Sequence, residues 1–187
     1  MLGTSALGDV AALVEPIRRA VKDDRVTGLA GTLARMDGAG AFAAPGLFAP
    51  ARSDHYARHL IWRDPESRFV VIGMTWSAGQ GSPLHDHAGL WGAEVIVGGA
   101  MHETTFRLLE RDTDDRYRFE VVQDRIARKG AVGILIPPLE YHDFGNAEDA
   151  TAYTVHVYVG DLDRCLAFDD GGDGWWRARG VDLRYDA

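Results

Sequence analysis

The sequence has one cysteine, Cys165, among 187 residues, so no disulfide can form within the chain. That shortage favours a reducing, intracellular setting. The sequence also has no apolar run near the roughly 20 residues needed to cross a bilayer, and its first residues lack the basic segment of a secretory signal. These absences predict a soluble cytoplasmic protein with no membrane partner.

Positive charge is also scarce, because 20 Lys and Arg residues stand against 28 Asp and Glu residues, giving a formal net charge of -8 at pH 7. A nucleic-acid surface needs a basic stripe, and none is visible in the sequence. We therefore expect no nucleic-acid partner. The hydrophobic fraction of 46% is that of an ordinary globular protein, and the length fits one domain with a real core.

Hydrophobic spacing predicts one domain made of a helical N-terminal region (1–53), a β-barrel (54–168) and a C-terminal tail (169–187). Apolar residues recur at helical spacing over 10–22 and 26–36. Seven later runs are rich in β-branched and aromatic residues and are bounded by turn residues. These runs are 56–62, 68–76, 90–97, 101–109, 117–123, 131–136 and 151–159. The pattern predicts a mainly β sandwich or small barrel, with the helices packed on one side.

Two histidines, His85 and His87, are separated by one residue and follow a Gly/Ser/Pro turn. Residues i and i+2 of a strand point to the same face, so both imidazoles can be aimed at one point. Neutral imidazole is a ligand for zinc, copper, iron and nickel. His142 follows an apolar strand and a double-proline turn, and it joins the pair if the strands are barrel neighbours. These three residues are the predicted metal ligands.

Several motifs around these histidines resemble a known family. His85-Asp86-His87 and His142 with Asn146 resemble the two cupin metal motifs. Further matching blocks are Tyr56-Ala57-Arg58-His59-Leu60, Gly99-Ala100-Met101-His102-Glu103-Thr104-Thr105-Phe106 and Thr154-Val155-His156-Val157-Tyr158. Together they make the central part of the chain similar to the cysteine dioxygenase-type thiol dioxygenases, which are non-haem iron enzymes on the cupin β-barrel.

The resemblance implies one Fe(II) per chain, held by His85, His87 and His142. It implies a small thiol-carboxylate substrate of the cysteine, 3-mercaptopropionate or mercaptosuccinate class, which O2 oxidises to a sulfinate. Arg58, together with Tyr56, would bind the substrate carboxylate. Tyr158 and His156 would be the catalytic residues, with Tyr158 also contacting substrate, and Thr154 would support His156.

The chemistry of these residue types agrees with those roles. Three neutral histidines leave the iron its full 2+ charge, which favours an anionic thiolate. The planar guanidinium of Arg58 matches a carboxylate. Thr154, His156 and Tyr158 share one strand face, so the hydroxyl can orient the imidazole and the imidazole can orient the phenol.

Three positions leave alternatives open. Gly92 stands where the animal enzymes have a cysteine crosslinked to the active-site tyrosine, so we expect no crosslink. Glu94 is a candidate fourth metal ligand, which would favour a cupin isomerase or hydrolase that uses zinc, manganese or nickel. We expect it instead to be a solvated or salt-bridged side chain. A non-catalytic, ligand-binding cupin is a third possibility. If Arg164 entered the pocket beside Arg58, a dicarboxylate substrate would be favoured. The oligomeric state stays open.

Overall fold

The computed structural model of the chain describes residues 4–23, 26–44, 46–66, 68–112 and 114–186. Two α-helices come first, α1 (Thr4–Lys22) and α2 (Val26–Gly38), and a short 3-10 helix follows at Ala41–Ala43. Both predicted helices are thus confirmed. Within the described residues, neither helix has the combination of length and hydrophobicity that a bilayer crossing requires.

The helices pack through one apolar stripe each. Val14 and Ile17 of α1 and Leu29 and Leu33 of α2 are all completely buried, and they recur three or four residues apart, as one helix face requires. They share a cluster with valines of a β-sheet, namely Val71, Val95, Val155 and Val157. Burying each such side chain contributes about 1.5–3 kcal/mol, so this stripe is what fixes the helices to one side of the sheet.

Eleven strands make up the rest of the described fold. They are β1 (Ala57–Arg63), β2 (Val70–Trp76), β3 (Gly81–His85), β4 (Gly92–Gly98), β5 (Ala100–Arg111), β6 (Arg116–Arg128), β7 (Val132–Leu135), β8 (Tyr141–Asn146), β9 (Ala152–Tyr158), β10 (Arg164–Asp170) and β11 (Trp176–Asp182). One sheet has the order β1-β2-β9-β4-β7, and the other closes on itself in the order β10-β11-β6-β5-β8-β3.

The two antiparallel sheets face each other, and strand β9 shows what this does for side chains. Val155 and Val157 join the cluster beneath the helices. Thr154, His156 and Tyr158 point to the opposite face, because side chains alternate along a strand. Three polar side chains of one strand are thereby directed into the space between the sheets.

The mainly β, cupin-type architecture with N-terminal helices on one side is confirmed by this topology. The seven strand runs predicted from sequence correspond to β1, β2, β4, β5, β6, β7 and β9. Strands β8, β10 and β11 were not predicted, and β3 was implied only by the expectation that His85 and His87 share a strand. Strand β11 lies in the stretch 169–187, expected to be a tail packed on the body, and it pairs with β10 and β6.

Candidate metal centre

Three histidine side chains converge between the sheets. The ring centroids of His85 and His87 are 4.9 Å apart, and those of His142 lie 4.8 Å from His85 and 5.0 Å from His87. One ring nitrogen from each residue lies within 4.8 Å of the other two. The structure therefore brings together the three residues predicted as metal ligands.

Strand pairing and a sharp turn account for this convergence. Strands β3 and β8 are antiparallel neighbours, and His85 lies directly opposite His142. His87 lies beyond the end of β3, so the two histidines of the motif do not share one strand as the sequence suggested. The chain turns immediately after His87, where Ala88 and Gly89 have φ values of 53° and 75°. The turn, and not the strand alternation alone, directs His87 to the site.

Asp86, which lies between the two histidines, links this turn to strand β10 through hydrogen bonds. Its Oδ1 accepts hydrogen bonds from the backbone N–H of Leu166 at 2.8 Å and of Ala88 at 3.3 Å. Its own backbone N–H donates to the Leu166 carbonyl at 3.0 Å. Asp86 thus positions both neighbouring histidines without pointing at the metal site itself.

The hydrogen bonds of the ring nitrogens indicate which of them is free to bind a metal. Nδ1 of His85 lies 2.9 Å from the Pro83 carbonyl and donates to it, which leaves Nε2 available. Nδ1 of His142 faces Oε1 of Glu94 at 3.9 Å. Both nitrogens of His87 are buried and lack a hydrogen-bond partner among the residues that the structure describes, as does Nδ1 of His142.

Burial also keeps the three imidazoles neutral. It lowers the pKa of His85. It lowers the pKa of His87 and of His142 far more, and the nearby charge of His85 is the next cause for both. Neutral imidazole is the form that binds a metal, and buried polar atoms without partners require something to satisfy them. The three side chains therefore fit a divalent transition-metal ion.

Beside this cluster, a hydrogen-bonded chain runs along strand β9. The indole N–H of Trp76 donates to Oγ1 of Thr154 at 3.0 Å. The same Oγ1 lies 2.8 Å from Nε2 of His156, and Nδ1 of His156 lies 3.1 Å from the phenolic oxygen of Tyr158. The Tyr158 ring also stacks on His87, with centroids 5.5 Å apart.

The direction of this chain follows from its first member, because an indole N–H can only donate. The Thr154 oxygen accepts that bond, and its other hydrogen-bond partner among the described residues is Nε2 of His156, so its own proton goes there. His156 then carries its proton on Nδ1 and donates toward Tyr158. The phenolic proton of Tyr158 remains free to point away from His156. Burial, followed by the charge of Glu94, raises the pKa of Tyr158 well above its ordinary value, so the phenol keeps this proton.

A small cavity of about 110 Å³ opens next to the cluster. His85 and Tyr158 form part of its wall, together with Tyr56 and Arg58. Tyr56 is held by stacking on Trp76, with ring centroids 4.4 Å apart. All the residues predicted to bind substrate therefore line the same cavity as one of the metal-ligand candidates.

Arg58 is buried in this wall but only weakly satisfied. Its guanidinium donates to the carbonyls of Arg184 and Leu162, both at 3.4 Å, and lies over the ring of Tyr185. These long bonds leave N–H groups able to bind an anion in the cavity, because a guanidinium carries five donors. The backbone of Arg58 is fixed separately by Asp186, which accepts its N–H at 2.9 Å.

Glu94 and Gly92 occupy positions that the sequence left open. Glu94 is 2% exposed and faces the interior. Among the described residues it groups with Glu103 and His142, and not with His85 and His87. Gly92 is paired with Tyr158 across β4 and β9, and a Cβ there would lie 2.4 Å from the Val157 carbonyl oxygen.

Sequence reasoning missed three polar residues of the cavity wall, and one candidate lies elsewhere. The missed residues are Ser82, Cys165 and Arg179. Arg179 belongs to β11, a strand that no clear periodicity in the sequence reveals. Arg164, by contrast, is largely exposed and pairs with Asp182 at 3.2 Å.

Comparisons with known proteins relate this arrangement to one family. The family described as Cysteine dioxygenase type I matches residues 42–171. Cysteine dioxygenase type 1 of Homo sapiens is 23% identical over 124 residues, which cover 66% of this chain and 60% of that protein. The Mus musculus protein of the same name is 25% identical over 126 residues, with the same shares covered. The match thus spans about 60% of the length of these curated relatives.

Solved structures with related folds are more distant in sequence. A Klebsiella pneumoniae protein with a double-stranded β-helix domain is 14% identical, with a TM-score of 0.46 over 62% of this chain and 86% of that one. The cupin domain of Schizosaccharomyces pombe Cnp3 is 13% identical, with a TM-score of 0.45 over 60% of this chain and 65% of that one.

Proposed function

Because the chain belongs to the Cysteine dioxygenase type I family, we propose that it is an Fe(II)-dependent thiol dioxygenase. Its reaction would combine a small thiol carboxylate with O2 to give the sulfinate, both oxygen atoms ending on sulfur. The observation that carries the proposal is the cluster of His85, His87 and His142 beside a small cavity lined by Arg58 and Tyr158.

The three histidines would hold one iron per chain through neutral imidazole nitrogens. When bound, Fe(II) would supply the positive charge that keeps the substrate thiol deprotonated and the redox chemistry for its reaction with O2. Because the described cluster contributes no carboxylate, the ligands leave that charge uncompensated. This favours an anionic sulfur substrate.

Arg58 would bind the substrate carboxylate. Its guanidinium has only long bonds to two carbonyls, so a carboxylate offers it better partners. A bidentate, charge-assisted contact with Arg58 fixes the orientation of the carboxylate as well as its position. Tyr56, stacked on Trp76, forms the adjoining wall. With the carboxylate fixed at one end, the sulfur of a short substrate is carried toward the histidines, which is catalysis by positioning.

Tyr158 would donate its phenolic proton to the reacting groups. The chain from Trp76 through Thr154 to His156 directs a hydrogen bond at the phenolic oxygen, so the proton of Tyr158 is left for the cavity. Its raised pKa keeps that proton in place at neutral pH. Tyr158 is therefore suited to hydrogen-bond an anionic oxygen or sulfur that forms beside it.

Oxygen consumption by the Fe(II)-loaded protein tests this proposal. We expect uptake with cysteine, 3-mercaptopropionate or mercaptosuccinate, one O2 per sulfinate formed. An analogue without the carboxylate, such as cysteamine, should be a poor substrate, and one without the thiol should give no uptake. Absence of O2 uptake across the whole thiol-carboxylate panel, with iron bound at one per chain, would reject the proposal.

The same preparation separates the two alternatives. A cupin isomerase or hydrolase with Glu94 as a fourth ligand would retain another divalent metal, and the visible spectrum of bound Co(II) would lose an oxygen ligand when Glu94 is replaced. A non-catalytic cupin would bind a thiol carboxylate without consuming O2. The arrangement of Trp76, Thr154 and His156 around the Tyr158 phenol supports an enzyme, because simple ligand storage does not require an oriented proton.

A further inference from the structure

Two buried carboxylates lie next to the histidine cluster and are not part of the wall of the substrate cavity. Glu94 is 2% exposed and Glu103 is 6% exposed. Their oxygens and one nitrogen of His142 all lie within 4.8 Å of one another. Glu103 has a cationic partner, because the guanidinium of Arg125 approaches it at 2.7 Å. Glu94 does not share that partner.

Glu94 is badly satisfied for a buried anion. Among the described residues, its Oε2 has no aligned hydrogen-bond donor. Burying a carboxylate without a cation destabilises a fold, and unsatisfied buried groups are uncommon enough to require an explanation. The packing around Glu94 therefore indicates a role that fold stability alone does not provide.

The imidazole nitrogens that lie nearest to the Glu94 carboxylate identify that role. Oε1 of Glu94 faces Nδ1 of His142 at 3.9 Å, and Oε2 lies 3.0 Å from Nδ1 of His156. Nδ1 of His142 is itself buried and without a partner in the described part of the chain. A carboxylate accepts, and an imidazole N–H donates. A shift of about one ångström would give both atoms a normal hydrogen bond, whose length is about 2.7–3.2 Å.

We propose that Glu94 is a positioning residue for the metal centre and not a metal ligand. Its carboxylate holds the proton of His142 on Nδ1, so that Nε2 is presented to the metal. Its second oxygen lies 3.0 Å from Nδ1 of His156 and favours the proton on that nitrogen, which donates it to Tyr158. One side chain thereby links a metal ligand to the residue that orients Tyr158. The inference rests on the metal centre of the proposed function.

The charge of Glu94 supports this assignment. Three neutral imidazoles bring no negative charge to a divalent ion, whereas a carboxylate behind a metal-binding histidine makes that ring a stronger donor. Carboxylate–histidine pairs of this kind typically change metal affinity by about 10- to 100-fold when the carboxylate is removed. Glu94 supplies such a charge without occupying a coordination position.

The neighbouring strand leaves room for this carboxylate. Gly133 of β7 is paired with Glu94 of β4. A Cβ at position 133 would lie 2.7 Å from Oε1 and 2.9 Å from Cγ of Glu94. A methyl group at position 133 must displace the Glu94 side chain, because the flexible end of Glu94 can move more easily than the backbone of either strand. Gly133→Ala is therefore a variant that moves the carboxylate and leaves its charge intact.

Co(II) binding to the metal-free protein tests the inference without relying on activity. Affinity is measured by competition with a coloured chelator, and the number and type of ligands by the visible spectrum of bound Co(II). The variants are Glu94→Leu, which removes both charge and acceptor, Glu94→Gln, which keeps an acceptor, and Gly133→Ala. Glu110→Gln makes the same charge change as Glu94→Gln at an exposed position of β5 and serves as the control.

We expect one Co(II) per wild-type chain and about 10- to 100-fold weaker binding by Glu94→Leu, with a smaller loss for Glu94→Gln and Gly133→Ala. The control should bind as the wild type does. The spectrum should stay that of a three-histidine site in every variant. The melting temperature of metal-free Glu94→Leu should equal or exceed that of the wild type, since an unpaired buried charge is removed.

Other outcomes would overturn the inference in recognisable ways. Wild-type affinity in Glu94→Leu would show that the carboxylate does not position His142. A spectrum that loses an oxygen ligand would make Glu94 a metal ligand instead. Weaker binding together with a lower melting temperature of the metal-free variant would make its role structural. If the wild-type chain itself bound no Co(II), the metal centre of the proposed function would fall, and this inference with it.

Discussion

At the scale of single residues, the guanidinium of Arg58 in the cavity wall is only weakly satisfied. It is buried, and its two hydrogen bonds to carbonyls are both 3.4 Å long. Strong hydrogen bonds of charged groups are shorter, about 2.7–2.9 Å. An anion in the cavity would therefore form stronger hydrogen bonds with Arg58 than the two backbone carbonyls do.

Replacing Arg58 by Lys tests this carboxylate site. The charge is kept, but the planar fork is lost, and a hydrogen bond to a charged group is worth about 1.5–3 kcal/mol. We expect KM for the thiol carboxylate to rise about 10- to 100-fold in O2-consumption kinetics, with a smaller change in kcat. Arg164→Lys, at an exposed position paired with Asp182, should leave both constants unchanged. An unaltered KM in Arg58→Lys would remove Arg58 from the substrate site.

Thr154 offers a second test at this scale, because its hydroxyl donates to Nε2 of His156 and so favours the ring proton on Nδ1. Thr154→Val removes the hydroxyl at nearly constant volume, and Thr154→Ser retains it. We expect the ¹⁵N chemical shifts of the His156 ring to report an Nδ1–H tautomer in the wild type and in Thr154→Ser. In Thr154→Val that preference should weaken, and kcat should fall about 10-fold or more, within the range of positioned acid–base groups. An unchanged tautomer in Thr154→Val would contradict the hydrogen-bond direction derived from Trp76.

At the scale of secondary-structure elements, the sequence predicted strands where β-branched and aromatic residues are concentrated or alternate. Strand β9 alternates, and strands β2 and β4 are rich in Val and Ile. Strand β3 contains glycine and proline, and β8 contains glycine and several polar residues, which weaken both signals. Neither of the strands that carry His85 and His142 is therefore among the seven predicted runs.

The candidate site was likewise predictable where local sequence patterns define it and unpredictable where it depends on strand pairing. The spacing of His85, His87 and His142, and the motif around Arg58, could be found in the sequence because they are local patterns. The inward direction of Glu94 could not, since it depends on the register between β4 and β9. The contribution of Arg179 to the cavity depends on the pairing of β10 with β11. Long-range register is set by the whole sheet and has no local signature.

The turn that follows β3, which Asp86 bonds to strand β10, gives a prediction about an element of the fold and not about a catalytic group. Asp86→Ala removes the acceptor for two backbone N–H groups, and leaving such donors unsatisfied costs about 1–3 kcal/mol. We expect a corresponding fall in the free energy of unfolding, measured with urea, together with weaker Co(II) binding. Asp86→Asn keeps Oδ1 as an acceptor and should retain most of both. Equal losses in the two variants would mean that the charge of Asp86 matters more than its hydrogen bonds.

At the scale of the whole molecule, the site joins the two sheets. Arg58, Glu94 and His156 come from the five-stranded sheet, whereas His85 and His142 come from the closed sheet. Because the three histidines converge only in the folded chain, metal binding would stabilise the folded state over the unfolded one. The buried His87 and His142 and the half-buried His85 would bind a metal as neutral imidazoles, and they also make the metal-free fold sensitive to acid.

The direction of that acid sensitivity follows from the pKa values. Burial lowers the pKa of His85, His87 and His142 in the folded chain, while an unfolded histidine has a pKa near 6.5. Above about pH 6.5 neither state is protonated, so the full stability is present. Below it the unfolded chain takes up protons that the folded chain excludes. The free energy of unfolding then falls by up to about 1.4 kcal/mol per pH unit for each histidine.

Urea unfolding of the metal-free protein at pH 7.5, 6.5 and 5.5 measures this loss. Burial raises the pKa of Glu103 and Glu140, and these carboxyls act in the opposite direction, because the folded state then binds protons first. Comparison with His87→Leu isolates the histidine contribution, since this variant keeps both carboxyls and removes one buried imidazole. We expect a shallower loss of stability below pH 6.5 in His87→Leu than in the wild type. Identical slopes would mean that His87 takes up its proton equally well in both states, against the burial that surrounds it.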